Sequence, residues 1–226
     1  MENDRGNKDT WSVFRIMGEF VEGFETLRGV WPAVSVFGGS RVRKSHPSYK
    51  NTVKLTERLA NAGYSVITGG GPGIMEAANR GSAKGDAQSI GLNIRLPSKQ
   101  PANEYAETIV DFNYFFARKV MFVKYSCAIV GMPGGFGTLD EIFEALTLVQ
   151  TEKIDDLPVV LFGSEFWGGM VRWLEQAPLA EGLLRKRDME LFHVTDDPDE
   201  TMEIIQSHLQ HLMKRMGPGM VGRDTP

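Results

Sequence analysis

The stretch CAIVGMPGGFGTLDEIFEALTLVQ, residues 127–150, holds a complete strand, loop and helix. The apolar run over residues 127–132 predicts a buried strand, and three glycines follow within positions 134–137. Apolar residues at helical spacing then predict a helix from Thr138 to about Gln150. A strand that leads through a glycine loop into a helix is typical of α/β proteins with parallel strands.

The same unit recurs along the chain. Strand 33–37 leads through loop 38–41 into helix 47–62, and strand 65–68 leads through loop 69–73 into helix 74–84. Further strands are predicted over 89–94, 108–112, 159–162 and 191–194, and further helices over 115–125, 166–177 and 198–214. Right-handed crossovers between such strands predict a single doubly wound, Rossmann-like parallel sheet with helices on both faces.

One domain accounts for most of the chain. A length of 226 residues, with 42% apolar and 24% charged residues, is that of one globular α/β domain, predicted here over residues 11–214. An amphipathic helix opens this domain. The polar residues 1–10 are predicted to be disordered, and residues 215–226 are predicted to form a flexible tail.

Charge and composition limit the partners and the location. The net charge of −4 argues against a nucleic-acid polymer as partner, because gripping its backbone takes a surplus of Lys and Arg. The first thirty residues contain no apolar core of a secretory signal, and no apolar run approaches the ~20 residues that span a membrane. The single cysteine, Cys127, fits a reducing compartment. We therefore expect a cytoplasmic protein without membrane contact.

The loop before Thr138 has the composition of a phosphate site. Gly134, Gly135 and Gly137 would expose backbone N–H groups at the positive end of a helix dipole, and the Thr138 hydroxyl would either cap the helix or donate one more hydrogen bond. The alternative is a tight turn that binds nothing. Three glycines in four positions exceed what a turn requires, so the pattern favours anion binding.

Glu141 has two interpretations on spacing alone. Thr138 and Glu141 are three residues apart and match a capping box, in which the glutamate bonds back to the residue that caps the helix. A catalytic carboxylate is the other interpretation, and spacing does not choose between them. The second glycine loop, residues 69–73, is expected to end a strand next to that of residues 127–132, so that both loops converge on one crevice.

Several common sites are missing from the sequence. No G-x-G-x-x-G follows a strand and no Gly-Lys pair exists, which argues against dinucleotide binding and against a Walker A loop. His208 and His211 share one helix face, but no third ligand stands near them, so they are interpreted as solvated surface residues. The sequence predicts no metal site.

Three motifs together resemble the LONELY GUY (LOG) family. PGGFGTLDE at residues 133–141 resembles the signature PGGxGTxxE, GGGPGIM at 69–75 resembles the second glycine motif, and Arg118-Lys119 resembles the Arg-Lys pair on the preceding helix. The resemblance implies hydrolysis of the N-glycosidic bond of a nucleoside 5′-monophosphate, either AMP or a cytokinin riboside 5′-monophosphate, without a cofactor. It also implies a homodimer or a higher homo-oligomer with sites near the subunit interface.

The resemblance assigns roles residue by residue. Arg118 and Glu141 become the catalytic pair: Glu141 would stabilise positive charge on the ribose and orient water, and Arg118 would bind substrate oxygens or fix Glu141. The implied substrate-binding residues are Ser40, Gly70, Gly71, Gly73, Met75, Glu76, Arg118, Lys119, Pro133, Gly134, Gly135, Gly137 and Thr138, and Asn93 and Asn103 are expected to shape the base side.

Other activities must be weighed against the implied hydrolysis. Family members are often labelled lysine decarboxylases, but that reaction needs a lysine that forms a Schiff base with pyridoxal phosphate, and the sequence offers no setting for one. A nonenzymatic nucleotide sensor and a carrier of a phosphorylated cofactor such as molybdopterin are the alternatives to hydrolysis. Residues 91–97 and the leading helix resemble the longer bacterial branch, which leaves the preferred base open.

Overall fold

Seven parallel strands form one sheet in the computed structural model, which describes residues 3–97 and 101–216. The strands are β1 (Ala33–Phe37), β2 (Ser65–Thr68), β3 (Ser89–Ile94), β4 (Thr108–Phe112), β5 (Ala128–Gly131), β6 (Val159–Phe162) and β7 (Phe192–Thr195). The α-helices are α1 (Asn3–Thr26), α2 (Pro47–Asn61), α3 (Ile74–Ser82), α4 (Phe115–Lys124), α5 (Phe136–Gln150), α6 (Ser164–Leu174) and α7 (Pro198–Met216). The predicted doubly wound α/β sheet is confirmed.

The strand order is β4-β3-β2-β1-β5-β6-β7, so the winding direction reverses between β1 and β5. These two strands pair in parallel, with Val34 opposite Ala128 and Phe37 opposite Gly131. Side chains on either face of β1, β2, β5 and β6 are buried, which explains why these strands read as continuous apolar runs. Ligands of such sheets bind where the order reverses, beyond the carboxyl ends of the strands.

Each face of the sheet has its own apolar core. One core joins the sheet to α1, α4, α5 and α6 through residues such as Leu27, Phe122 and Trp167. The other joins it to α2, α3 and α7 through residues such as Leu59 and Ile205. Helices α4 and α5, which carry the motif residues, therefore share one face and one core.

The terminal helices run past the predicted bounds of the domain. Helix α1 begins at Asn3, so the described backbone is also helical over residues 3–10. Helix α7 reaches Met216. The rest of the expected flexible tail lies outside the described residues.

Helix α1 is anchored to the turn that precedes α4. The buried carboxylate of Glu19 accepts hydrogen bonds from the backbone N–H and side-chain amide of Asn113 at 2.9 and 2.7 Å, and from the Tyr114 backbone N–H at 3.2 Å. These bonds satisfy donors at the start of α4. Within the described ranges, no helix is both long enough and apolar enough to cross a membrane.

Candidate active site

Helix α5 begins two residues earlier than predicted. Its N-cap is Gly135, whose carbonyl accepts the N–H groups of Thr138 at 2.9 Å and Leu139 at 3.0 Å. Thr138 is therefore inside the first turn and cannot be the N-cap, so the capping-box interpretation of Glu141 is wrong. A glycine cap has no side chain to mark it in the sequence. The N–H groups of Phe136 and Gly137 come before these bonds, and both residues line the cavity described below.

Gly134 lies directly against Thr138. A Cβ atom on Gly134 would stand 2.1 Å from the Thr138 hydroxyl oxygen and 2.9 Å from the backbone nitrogen of Gly39. Both distances are far below a normal contact, so only glycine fits at this position. The Thr138 side chain is itself buried. The loop after β5 thus wraps closely around the hydroxyl of the first turn of α5.

Three loops interlock at the carboxyl edge of the sheet. The Gly39 N–H donates to the Pro133 carbonyl at 2.9 Å, and the Ile74 N–H donates to the Gly39 carbonyl at 3.1 Å. Gly73, at φ +70°, has no room for a Cβ, which would stand 2.4 Å from that same carbonyl. The glycine loops after β2 and β5 thus flank the loop after β1. The expectation that β2 and β5 are neighbouring strands is wrong, because β1 separates them.

A cavity of about 1490 Å³ opens above these loops. The implied site residues that line it are Ser40, Met75, Arg118, Pro133, Gly134, Gly135, Gly137, Thr138 and Glu141. The residues Gly70, Gly71, Gly73, Glu76 and Lys119 lie outside its lining. Both catalytic candidates and all residues of the expected phosphate loop line this one cavity.

Arg118 and Glu141 meet at the inner wall of the cavity. Arg118 Nη2 is 3.6 Å from Glu141 Oε1, and the two side chains are only 13% and 6% exposed. The guanidinium also lies over the rings of Phe115 and Phe122, 5.3 and 5.5 Å from their centroids. Its Nε–H is buried and has no hydrogen-bond partner in the described structure. A buried donor of this kind is available to an oxygen of a bound ligand.

Burial sets the protonation of this pair. Loss of solvent raises the pKa of Glu141 to about 7, against the opposing charges of Arg118 and Lys119. Burial likewise lowers the pKa of Arg118, although Glu141 opposes this shift. A carboxyl group that titrates near neutral pH inside a cleft is typical of a functional site.

Four residues that the sequence suggested for the site have polar partners within the chain. Glu76 forms an ion pair with Lys44 at 2.6 Å and accepts a hydrogen bond from the Tyr49 hydroxyl at 3.0 Å. The carbonyl oxygens of Gly70 and Gly71 accept hydrogen bonds from the side-chain amide of Asn103, at 3.0 and 3.1 Å. Asn103 therefore holds the glycine loop after β2 in shape.

Two more residues differ from their sequence interpretation. Lys119 contacts Asp140 and Glu144 on the outer side of α5. His208 is half-buried rather than solvated, and burial lowers its pKa.

The cavity also holds residues that sequence reasoning missed. Arg41, Arg43 and His46 line it from the loop after β1, and Phe115, Phe136 and Phe166 supply aromatic surface. Phe136, at the first position of α5, is 92% exposed. The signal available in the sequence was the loop at residues 38–41, which carries glycines and follows a predicted strand as the other two glycine loops do.

Comparison with known proteins identifies the family. The sequence model of a family described as "Possible lysine decarboxylase" matches residues 75–205, more than half of the chain. A protein of Arabidopsis thaliana named cytokinin riboside 5′-monophosphate phosphoribohydrolase LOG3 is 26% identical over 170 residues, which cover 73% of this chain and 77% of that protein. The chain belongs to the LOG family.

Two further relatives match at least half of the chain. A probable cytokinin riboside 5′-monophosphate phosphoribohydrolase of Oryza sativa is 24% identical over 178 residues, 77% of this chain and 72% of that protein. An uncharacterized protein of Archaeoglobus fulgidus is 34% identical over 120 residues, 51% of this chain and 76% of that protein. The relatives that carry the LOG name are named as phosphoribohydrolases, and their sequence identity to this chain is low.

Solved structures share the fold. A structural-genomics X-ray structure superposes with a TM-score of 0.60 at 24% identity, covering 78% of this chain and 99% of that chain. The molybdenum cofactor binding protein of Rippkaea orientalis superposes with a TM-score of 0.55 at 23% identity, covering 79% and 97%. At this identity the likeness establishes the fold of the LOG chain and nothing about its ligand.

Proposed function

We propose that this LOG protein hydrolyses the N-glycosidic bond of a nucleoside 5′-monophosphate. The observation that carries the proposal is the pair of Arg118 and Glu141, buried 3.6 Å apart in a cavity that also receives the first turn of α5. A carboxylate and an anion site one helical turn apart suit the two ends of a ribose 5-phosphate. The names of the plant relatives support the same reaction.

The phosphate is proposed to bind at the start of α5. There the loop of Gly134 and Gly135 leads into first-turn N–H groups, and the buried Thr138 hydroxyl lies beside them. N–H groups at a helix N-terminus bind phosphate through charge-assisted hydrogen bonds and the helix dipole. Arg41 and Arg43, which line the same cavity, add positive charge at its rim.

Glu141 is proposed to act at the anomeric carbon. As the C1′–N bond breaks, positive charge develops on the ribose, and a carboxylate nearby stabilises it and accepts a proton from the attacking water. The water oxygen forms the new bond to C1′, and the base leaves with the bonding electrons and takes up a proton. Arg118 stays protonated throughout and binds ribose or phosphate oxygens. The products are the free base and ribose 5-phosphate.

The decarboxylase description of the family has no support in this cavity. A lysine that forms a Schiff base would have to reach the ligand, and among the described residues that line the cavity there is none. Lys119, the nearest in sequence to Arg118, is engaged by Asp140 and Glu144. Hydrolysis therefore fits the lining residues better.

One assay tests the proposed reaction. The protein is incubated with AMP and with isopentenyladenosine monophosphate, and free base is followed by chromatography. We expect release of base, a turnover lower by about a thousandfold in Glu141→Gln, and little change in Glu165→Gln, which removes another carboxylate of the cavity lining. Comparing the two substrates also identifies the preferred base. Equal turnover in Glu141→Gln and the wild type would refute the proposal.

A carrier function is the second candidate. The solved structures that resemble this fold include the molybdenum cofactor carrier protein of Chlamydomonas reinhardtii, at a TM-score of 0.56 and 21% identity over 79% of this chain and 98% of that chain. The cavity of about 1490 Å³ also exceeds the usual range for small ligands, roughly 300–1,000 Å³. A carrier or a nucleotide sensor would bind its ligand without releasing free base, so the same assay separates these functions.

A second copy of the chain is proposed to cover the aromatic rim of the cavity. Phe136 and Phe115, which both line the cavity, are 92% and 50% exposed, and Phe116 and Val120, one turn apart on α4, are 49% and 41% exposed. Apolar side chains that stay exposed in this number are typical of an interaction surface. The homodimer or higher assembly implied by the family resemblance would bury this rim and bring two cavities close to one interface.

A further inference from the structure

We infer that Lys119 is a positioning residue that joins α4 to α5 and so holds Arg118 against Glu141. This differs from the substrate-binding role that the family motif implied for Lys119. Its catalytic consequence rests on the proposed hydrolysis, whereas the structural and electrostatic part stands independently of any reaction.

The contacts of Lys119 are made to α5 and not to the cavity. Its ammonium lies 2.9 Å from Asp140 Oδ2 and also forms a close ion pair with Glu144 Oε2. The side chain is only 15% exposed, while Asp140 is 55% exposed and Glu144 35% exposed. A lysine with a covered side chain and two carboxylate partners has little freedom to reach a ligand.

The ion pair between Arg118 and Glu141 is too long to hold α4 against α5 by itself. Arg118 and Glu141 are 3.6 Å apart at their nearest atoms, beyond a hydrogen bond, so this pair alone does not fix α4 relative to α5. Lys119 follows Arg118 directly on α4, and Asp140 directly precedes Glu141 on α5. The two ion pairs therefore join the same two helices side by side. The shorter contacts of Lys119 fix the distance between Arg118 and Glu141.

The charge of Lys119 also acts on Glu141. The cations Arg118 and Lys119 lower the pKa of Glu141, and the anions Glu144 and Asp140 raise it, against a background that burial dominates. Further charged or titratable residues line the cavity, namely Arg41, Arg43, His46, Glu165 and Asp196. Without Lys119, the two anions on α5 lose their counter-charge, and Glu141 holds its proton to a higher pH.

The first test measures Glu141 directly. Protein labelled with ¹³C at the glutamate carboxyl carbons is titrated by NMR, and the Glu141 signal is assigned by its loss in Glu141→Gln. We expect the midpoint to move up in Lys119→Met, down in Asp140→Asn, and to stay in place in Lys119→Arg. A helix that is merely loosened would not move the midpoint in opposite directions. An unchanged midpoint in Lys119→Met would overturn the inference.

The second test separates positioning from binding. On AMP, we expect Lys119→Met to lower kcat by about tenfold with KM within about twofold of the wild type, and Lys119→Arg to restore kcat. A large rise in KM with unchanged kcat would make Lys119 a substrate ligand and overturn the inference. If Lys119→Met fails to fold, Glu144→Gln serves in its place and should move the Glu141 midpoint down.

The two tests distinguish a wrong role for Lys119 from a wrong proposal of hydrolysis. If the wild type releases no base from AMP while the NMR midpoints move as expected, the hydrolase proposal is wrong and the positioning role of Lys119 stands. If AMP is hydrolysed and the midpoints do not move, the hydrolase stands and the role of Lys119 is wrong.

Discussion

Arg118 and Glu141 lie opposite each other across 3.6 Å, both shielded from water, and no direct hydrogen bond joins them. A surface pair would gain little from such a contact, but burial makes each charge costly and each responsive to the other. The unpartnered Nε–H of Arg118 adds to this cost. A buried pair of this kind contributes little to the stability of the fold, which agrees with the ligand-binding role proposed for it.

The stability of the protein should fall between about pH 4.5 and pH 7. The folded chain holds the Glu141 proton up to a pKa of about 7, whereas the unfolded chain releases it near the ordinary value of 4.5. The folded state thus binds more protons in this window, and its free energy of unfolding decreases as pH rises, by about 3 kcal/mol. Urea unfolding of the wild type and Glu141→Gln, taken as a difference, isolates this contribution. A difference that does not change with pH would contradict it.

Catalysis should depend on the same titration in the opposite sense. If Glu141 acts as a carboxylate, kcat/KM for AMP falls as pH drops below about 7, where the group becomes protonated in the free protein. Glu165→Gln removes another carboxylate of the cavity lining and should leave this acidic limb in place. The measurement is kcat/KM for AMP across the pH range. An acidic limb that is unchanged in Glu141→Gln would assign the titration to another group.

Gly134 and Gly137 should respond oppositely to alanine. Gly134→Ala forces a Cβ to within 2.1 Å of the Thr138 hydroxyl, and we expect it to destabilise the fold by about 2 kcal/mol and to weaken AMP binding. At Gly137 a Cβ meets nothing within 4 Å, and alanine in a helix is favoured over glycine by roughly 0.5–1 kcal/mol. Thermal unfolding of the two variants checks the sign. Equal destabilisation would show that the tight packing at Gly134 is not what requires glycine.

The fold was largely predictable because both faces of the central strands are buried. Such strands read as short apolar runs, and each loop after them carries glycines that mark where the chain turns into a helix. Five of the seven predicted strands have the observed bounds, and the other two, β5 and β7, differ by one residue at each end. Strand order was not readable from spacing, which is why β2 and β5 were taken as neighbours although β1 separates them.

The candidate site could be predicted only where its residues belong to one sequence motif. Gly134, Thr138 and Glu141 stand together in sequence and in space, so their convergence followed from the helix. The partners of Lys119 and Glu76 come from elements far along the chain, and no local pattern indicates an ion pair of that range. The start of α5 was misplaced because Gly135, its N-cap, has no side chain to signal a cap.

Thr138 should discriminate between AMP and adenosine. Thr138→Val keeps the shape of a buried side chain but removes the hydroxyl beside the proposed phosphate. A hydrogen bond to a charged group contributes about 1.5–3 kcal/mol, so kcat/KM for AMP should fall by roughly 10- to 100-fold. The residual rate on adenosine, which has no phosphate, should not change. An equal loss on both substrates would mean that Thr138 acts on the fold and not on the phosphate.

Phe136 should control assembly. Its ring is 92% exposed at the first position of α5, so Phe136→Ser removes no packing from the core and should leave the free energy of unfolding of the monomer nearly unchanged. If a second copy covers this rim, loss of the ring should weaken association by about a hundredfold, as truncation of a central aromatic does at other interfaces. Sedimentation velocity over a range of concentrations measures it. Trp173, 57% exposed on α6, is the matched control, and Trp173→Ser should sediment as the wild type does. A Phe136→Ser variant that keeps the wild-type mass at every concentration would show that the aromatic rim faces something other than a second copy of the chain.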